Sequence, residues 1–403
     1  MATLASVSAF AQSSVTMTGI MDAGYQSGKE YGADAKTVVQ NGSRTTAIKF
    51  IGVEDLGGGL KAKFQFEADP AITAANGNNN NVTLSTTNSQ AVATAVGTAV
   101  TANGTTQTTN NATAQSGLVG AGYNYVMLES ATLGSIEFGT INTNTLATQG
   151  LGAQKFGTAI GSGYKKIWAE LTRYENSYKY TSPTISGFSG SYLVGVGNDS
   201  QYGSTSTVVL RRSAINELGL NYDQGPISAK FSTLSSTSSA NEAPVSGTAA
   251  AGSNVKTTYN TLAATYDFGK AKVGYGYQTS KNNAGLDTAA TPLDHSLSLK
   301  AQMYTLTAPV GNLLFLANVG SRTTNNMGST AAKQTALNGQ KSTFTGLGAH
   351  YNFSKNTYAY YMYERATMSD VDMTATISNG AANNNSTSDR TRNVTAIGIS
   401  SAF

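Results

Sequence analysis

The sequence predicts an all-β chain folded as a sixteen-stranded antiparallel transmembrane β-barrel, with short turns at one end and long loops at the other. Three observations predict it. Period-2 alternation of apolar and polar residues recurs end to end in segments of about 10 residues. Tight turns rich in Gly, Pro, Asp and Asn alternate with long polar stretches. Charged residues make up only 12% of 403 positions, against roughly 25% in soluble domains.

The strand count follows from the punctuation. Turns fall at Asp55–Gly59, Thr132–Gly134, Pro183–Gly187, Asp223–Pro226, Asp267–Lys270, Pro309–Asn312 and Ser354–Asn356. Long stretches cover residues 26–43, 70–120, 142–172, 197–211, 237–255, 280–298, 322–341 and 367–391. Eight loops at one end and seven turns at the other require sixteen strands with both termini on the turn side. Leu60 to Asp69 alternates most clearly: Leu60, Ala62, Phe64, Phe66 and Ala68 share one face, Lys61, Lys63, Gln65, Glu67 and Asp69 the other. Leu262, Ala264, Tyr266 and Phe268 repeat the pattern, as do Leu347, Ala349, Tyr351 and Phe353 against Gly348, His350 and Asn352. The last strand ends on an aromatic, with Ile397, Ile399 and Phe403 on one face. Tyr178, Tyr180, Tyr222, Tyr266 and Tyr351 sit at strand ends, where amphipathic rings suit a bilayer interface. Closing the first strand on the last removes the edges of so large a sheet.

Composition excludes several function classes. Forty-three glycines, six prolines, no cysteine and no window near the roughly 20 consecutive apolar residues of a spanning helix exclude a helical membrane protein. A net charge of +4 is too small to argue for nucleic acid. Two histidines and no thiols leave little material for a metal site or a His-dependent nucleophile, so neither an enzyme nor a cofactor is expected. Ala9-Phe10-Ala11 before Gln12 is a small-x-small cleavage site after the apolar stretch Leu4 to Phe10. Residues 1–11 therefore read as the remainder of a signal peptide, and 12–403 as a single barrel domain.

Several segments resemble the trimeric general porins of Gram-negative outer membranes, in particular their proteobacterial branch. They are Ser13 to Asp22 (SSVTMTGIMD), Gly52 to Lys63 (GVEDLGGGLKAK), Leu133 to Gly139 (LGSIEFG), Arg173 to Gly187 (RYENSYKYTSPTISG) and Val394 to Phe403. GVEDLGGGLKA and NSYKYTSP are the specific ones. The resemblance spans essentially the mature chain, although the loops differ in length. It implies a homotrimer in the outer membrane, in contact with lipid and lipopolysaccharide, a water-filled channel for passive diffusion of small hydrophilic solutes and ions, and a third loop folded into the lumen. It also implies that the terminal Phe403 is read by the assembly machinery and that the second loop, 70–120, latches over a neighbouring subunit.

The loop at 142–172 is the expected constriction. Its glycines Gly150, Gly152, Gly157, Gly161 and Gly163 let it bend inside a barrel, and a helical turn over Tyr164 to Glu170 carries Ile167, Leu171 and the single tryptophan, Trp168, as anchors. Lys155, Lys165 and Lys166 outnumber its Glu170. Parity places Lys49, Lys61, Lys63, Arg173, Lys179, Lys230 and Lys272 inward, with Asp22, Glu67, Glu129, Glu137, Glu175 and Glu217 as countercharges. The family's inward arginines would align with Ala47, Ile51 and Asn124, so that ladder is missing. Fixed charges in a water-filled lumen focus the field on passing ions. The excess of loop lysines over acids predicts a weak preference for anions.

His295 and His350 read as solvated or lumen-lining, and Asp370 with Asp372 are too few for a calcium site. A surface-exposed binding or adhesion protein that uses the barrel as an anchor is the alternative, favoured by the uncharged Ala/Thr/Asn/Gly stretch from Pro70 to Gln115. Single-channel conductance separates the two.

Overall fold

The computed structural model describes residues 13–70, 72–73, 100–102, 105–107, 122–157, 159–164, 166–169, 173–196, 214–239, 254–282, 297–326, 339–368 and 390–403. They form a closed barrel of sixteen antiparallel strands. The strands are β1 (Ser14–Glu30), β2 (Ala47–Gly57), β3 (Leu60–Ala68), β4 (Asn124–Ser130), β5 (Gly134–Asn142), β6 (Arg173–Thr181), β7 (Phe188–Gly195) and β8 (Ala214–Gln224). Then follow β9 (Ile227–Ser239), β10 (Asn254–Asp267), β11 (Lys272–Asn282), β12 (Leu297–Val310), β13 (Leu313–Asn326), β14 (Gln340–Asn352), β15 (Thr357–Thr367) and β16 (Thr391–Ala402). Each strand pairs with the next, and β1 pairs with β16 from Ile20↔Ala402 to Glu30↔Arg392, which closes the wall. Thr37–Gln40 folds back onto β1, and a small hairpin, Val100–Ala102 with Thr105–Gln107, stands apart in the second loop.

All seven predicted turns lie between strands, at the end that also holds both termini. Between β2 and β3 three successive residues take φ of +82°, +62° and +81°. Only glycine adopts such a run without strain, and Gly57, Gly58 and Gly59 supply it. Outward residues such as Phe64, Val126, Phe138, Leu262, Ile397 and Ile399 are exposed on the barrel's outer face, while Glu67, Glu137, Glu217 and His350 are buried within the barrel. Alternation thus sorts lipid from lumen along nearly every strand. Asn124 is an exception among the positions matched to family arginines: it shares the parity of outward Val126 and Leu128, and its amide oxygen accepts the Glu67 N–H at 2.7 Å.

Strand β6 departs from the parity read in the sequence. Register slips by one residue between Tyr174 and Ser177, so Tyr174, not Arg173, faces inward with Ile141. Glu175 and Asn176 occupy the bulge and are exposed, with Asn176 at φ +50°. The inward placement of Arg173 and Glu175 is thereby corrected. Arg173 lies at the loop-side rim, 3.9 Å from Asp69. Burial pushes the Asp69 carboxyl above the usual range, Glu67 adds to the rise, and Arg173 opposes it.

The interior also differs from a uniformly polar lumen. Ile167 and Trp168 are buried with Ala301, Met303 and Phe344, and Phe156 is buried with Leu316, Tyr360, Met362 and Ala396. These wall side chains point inward, and the third loop covers them. Residues 1–11, most of 70–120, Lys165, Glu170, Leu171, His295, Asp370 and Asp372 lie outside the described residues.

Candidate functional site

Two segments leave the wall and narrow the lumen. The first is the third loop, which opens with helix α1 (Asn144–Ala153) immediately after β5 and continues into a 3-10 turn at Gln154–Phe156. Helix is not what its composition favours, since each interior glycine costs about 1 kcal/mol relative to alanine. Its surroundings decide. The Thr143 hydroxyl accepts the Leu146 N–H at 3.0 Å. Glu217, fully buried on β8, accepts the N–H groups of Asn144 and Thr145 at 2.6 and 2.7 Å and the Thr145 hydroxyl at 2.7 Å. A carboxylate thus meets the unpaired donors and positive dipole end of the first turn. Gly276 of β11 leaves room for the loop's tryptophan: a Cβ there would lie 2.6 Å from the Trp168 ring.

Further along, the Gly161 N–H donates to Glu364 at 2.9 Å and the Asn318 amide donates to the Gly161 carbonyl at 3.1 Å. Glu364 is paired with Arg392, which also holds Glu30 at 2.7 Å. The helical turn predicted at Tyr164 to Glu170 is a single turn, with the Ile167 N–H on the Gly163 carbonyl at 2.8 Å. The longer helix lies earlier, where glycines had pointed to a bend.

The second segment is residues 41–46, between Thr37–Gln40 and β2. It crosses the inner faces of β14 and β15, where the Ser43 hydroxyl lies 3.2 Å from His350 Nε2 and 3.0 Å from the Tyr358 hydroxyl. His350 and Tyr358 are stacked, with ring centroids 4.4 Å apart. Tyr360 links the two inward segments: it is buried in one cluster with Phe156, and its hydroxyl donates to Asp22 beside Gly42.

Several wall cations expected to line the lumen are already paired. Lys49 lies 3.0 Å from Glu67, its cross-strand partner. Lys63 lies 2.6 Å from Glu129. Lys179 lies 2.6 Å from its cross-strand partner Glu137, which also accepts from the Tyr123 hydroxyl. Lys61 is exposed beside the β2–β3 turn, away from the third loop. Of the loop lysines that are described, Lys166 sits 5.7 Å above the Tyr31 ring at the loop end of β1, and Lys155 is exposed on the inward 3-10 turn.

One cation here was not singled out in the sequence, Arg44. Arg44 and Lys155 are both close enough to His350 to act on it electrostatically. Among the described residues no carboxylate pairs with either of them. The signal that could have found Arg44 is the Asn41-Gly42 turn signature just before it, with Asn41 at φ +63°. Asp22 and Glu217, expected as countercharges, instead receive backbone N–H groups and hold the two inward segments.

A protein-family model described as Gram-negative porin matches residues 1–374. Among solved structures, the chain is similar to an anion-selective porin from Comamonas acidovorans, at 20% identity and a TM-score of 0.66, covering 97% of this chain and 100% of that one. It is also similar to OmpF of Salmonella typhi in complex with daunomycin, at 13% identity and TM-score 0.61, covering 96% and 97%. The trimer form of OmpT, an outer membrane protein of Vibrio cholerae, matches at 14% identity and TM-score 0.58, covering 97% and 99%. A comparison with curated proteins found no match.

Proposed function

The chain belongs to the Gram-negative porin family, and on that premise we propose that its lumen favours anions weakly through two cations, Lys155 and Arg44, that no carboxylate among the described residues pairs. The protein is an outer-membrane channel; the family is one of channels rather than enzymes, and an adhesion protein merely anchored by its barrel is not favoured. One observation carries the proposed selectivity. Wall cations Lys49, Lys63 and Lys179 each face a carboxylate within 3.0 Å, so their fields fall off as those of dipoles. Lys155 and Arg44 have no such partner among the described residues and act as whole charges beside the passing ion. Screening over about 10 Å at 0.1 M salt leaves charges at a narrow passage effective while muting those at the mouths. The anion-selective character of the similar Comamonas porin agrees with this reading.

Replacing Lys155 and Arg44 together with Gln is expected to move the zero-current potential of a planar bilayer in a KCl gradient toward cation preference. The shift should shrink as salt rises. An unchanged potential at low salt would mean that neither cation faces the passage.

We also propose a homotrimer, supported by the family resemblance and by the trimer form of the similar Vibrio protein. Unboiled gel migration near three times the mature mass is the expected result. A stable, conducting monomer would reject it.

A further inference from the structure

The β1–β2 ladder is interrupted in a way that no turn requires. Ser14 to Ile20 pair with Val53 to Ala47, and Ala23 to Gln26 pair with Gln40 to Thr37. The six residues between, 41–46, are pushed into the barrel, and Asp22 stands in the gap. Asp22 is fully buried. Its Oδ1 accepts the N–H groups of Gly42 and Ser43 at 2.7 and 3.3 Å, and the Tyr360 hydroxyl at 3.0 Å. Its Oδ2 accepts the Arg44 N–H at 3.0 Å. Its own backbone is tied to the same segment: the Asp22 N–H donates to Thr46 Oγ1 at 3.1 Å, that hydroxyl donates to the Asp22 carbonyl at 3.2 Å, and the Asn41 N–H donates to the same carbonyl at 3.3 Å. Three successive backbone N–H groups converging on one carboxylate form an anion nest whose anion belongs to the protein itself. Gly42, the first of the three, packs so closely that a Cβ there would lie 2.3 Å from the Tyr360 hydroxyl.

We propose that Asp22 is a positioning residue for permeation: it folds residues 41–46 inward so that Arg44 joins Lys155 beside His350 at the passage. This rests on the reading that Lys155 and Arg44 set the selectivity. It makes an unusual demand on sign. If Asp22 acted through its own negative charge, neutralising it would strengthen the preference for anions. Acting through Arg44, its neutralisation weakens that preference.

The test compares Asp22→Asn, Gly42→Ala and Arg44→Gln channels by zero-current potential in a KCl gradient, each first shown to assemble by unboiled gel migration. Asn keeps an acceptor for Gly42 and Ser43 but turns a donor toward the Arg44 N–H. Gly42→Ala changes no charge, so any shift it causes comes from displacement of the segment, and it serves if Asp22→Asn does not assemble. Both are expected to shift the potential toward cation preference, by no more than Arg44→Gln does, and to add nothing in an Arg44→Gln background. A shift of Asp22→Asn toward anions, or no shift in Gly42→Ala while Arg44→Gln shifts, would overturn the positioning role alone. No shift in Arg44→Gln itself would overturn the role of Arg44 in selectivity, and this proposal with it.

Discussion

Replacing Glu217 with alanine is expected to raise single-channel conductance and to make the open level noisy. Glu217 is the only contact from β8 that receives the first-turn N–H groups of α1 in the described hydrogen bonds, at 2.6 and 2.7 Å. Orphaning a buried donor costs about 1–3 kcal/mol, so losing two costs roughly 2–6 kcal/mol of docking free energy. The Thr145 hydroxyl keeps Ser232 at 2.9 Å as a partner and adds little. The far end of the loop stays seated through Phe156 and Trp168, so the helix should lift from one side rather than detach. Glu217→Gln retains an acceptor and should give a smaller rise. A quiet alanine channel with unchanged conductance would show that the apolar seat alone holds the loop.

Deleting Phe403 is expected to lower the yield of assembled barrel sharply. Its N–H and carbonyl exchange two 3.0 Å hydrogen bonds with Gly19, the last rungs of the β1–β16 seam. Its ring covers Gly19, where a Cβ would lie 2.3 Å from the Phe403 ring. Unpaired backbone groups facing lipid cost several kcal/mol each. We further propose that the assembly machinery reads this aromatic terminus. Phe403→Leu separates the two effects, because it preserves the backbone rungs and removes the ring. Immunoblots of outer-membrane fractions measure both, and wild-type levels of the deletion would refute the expectation.

The barrel was legible in the sequence because its signals are local: period 2 within each strand, and turn residues such as Gly57-Gly58-Gly59 between strands. Cross-strand ion pairs such as Lys49–Glu67 and Lys179–Glu137 were half legible, since parity placed the residues inward but not opposite one another. The passage itself depends on contacts distant in sequence. The Thr143 N-cap is the one local sign of a helix at Asn144, and the carboxylate that receives the first-turn N–H groups comes from distant Glu217. Nothing in Arg173 to Ser177 marks the extra residue that turns Tyr174 inward. Asn41-Gly42 reads as a turn, yet its inward direction is set by Asp22 and Tyr360. Lys165 and Lys166 looked equivalent to Lys155 by type, and the Tyr31 ring draws Lys166 away from it.

The inner wall beneath the third loop gives the protein two apolar surfaces with different thermal behaviour. Outside, residues such as Phe64 and Ile399 face hydrocarbon, and closing the barrel around them releases little water. Inside, Ala301, Met303, Phe344, Leu316 and Met362 would be wetted by the channel if Phe156, Ile167 and Trp168 withdrew. Docking of the loop therefore carries the negative heat-capacity change of burying apolar area from water, and its hydrophobic part weakens on cooling. The wall, held by its hydrogen-bond ladder in a lipid surround, has no such dependence. Temperature thus acts on the apolar seat of the aperture separately from the frame, and chilling shifts the hold on the loop from its apolar seat to its hydrogen bonds with Glu217 and Glu364.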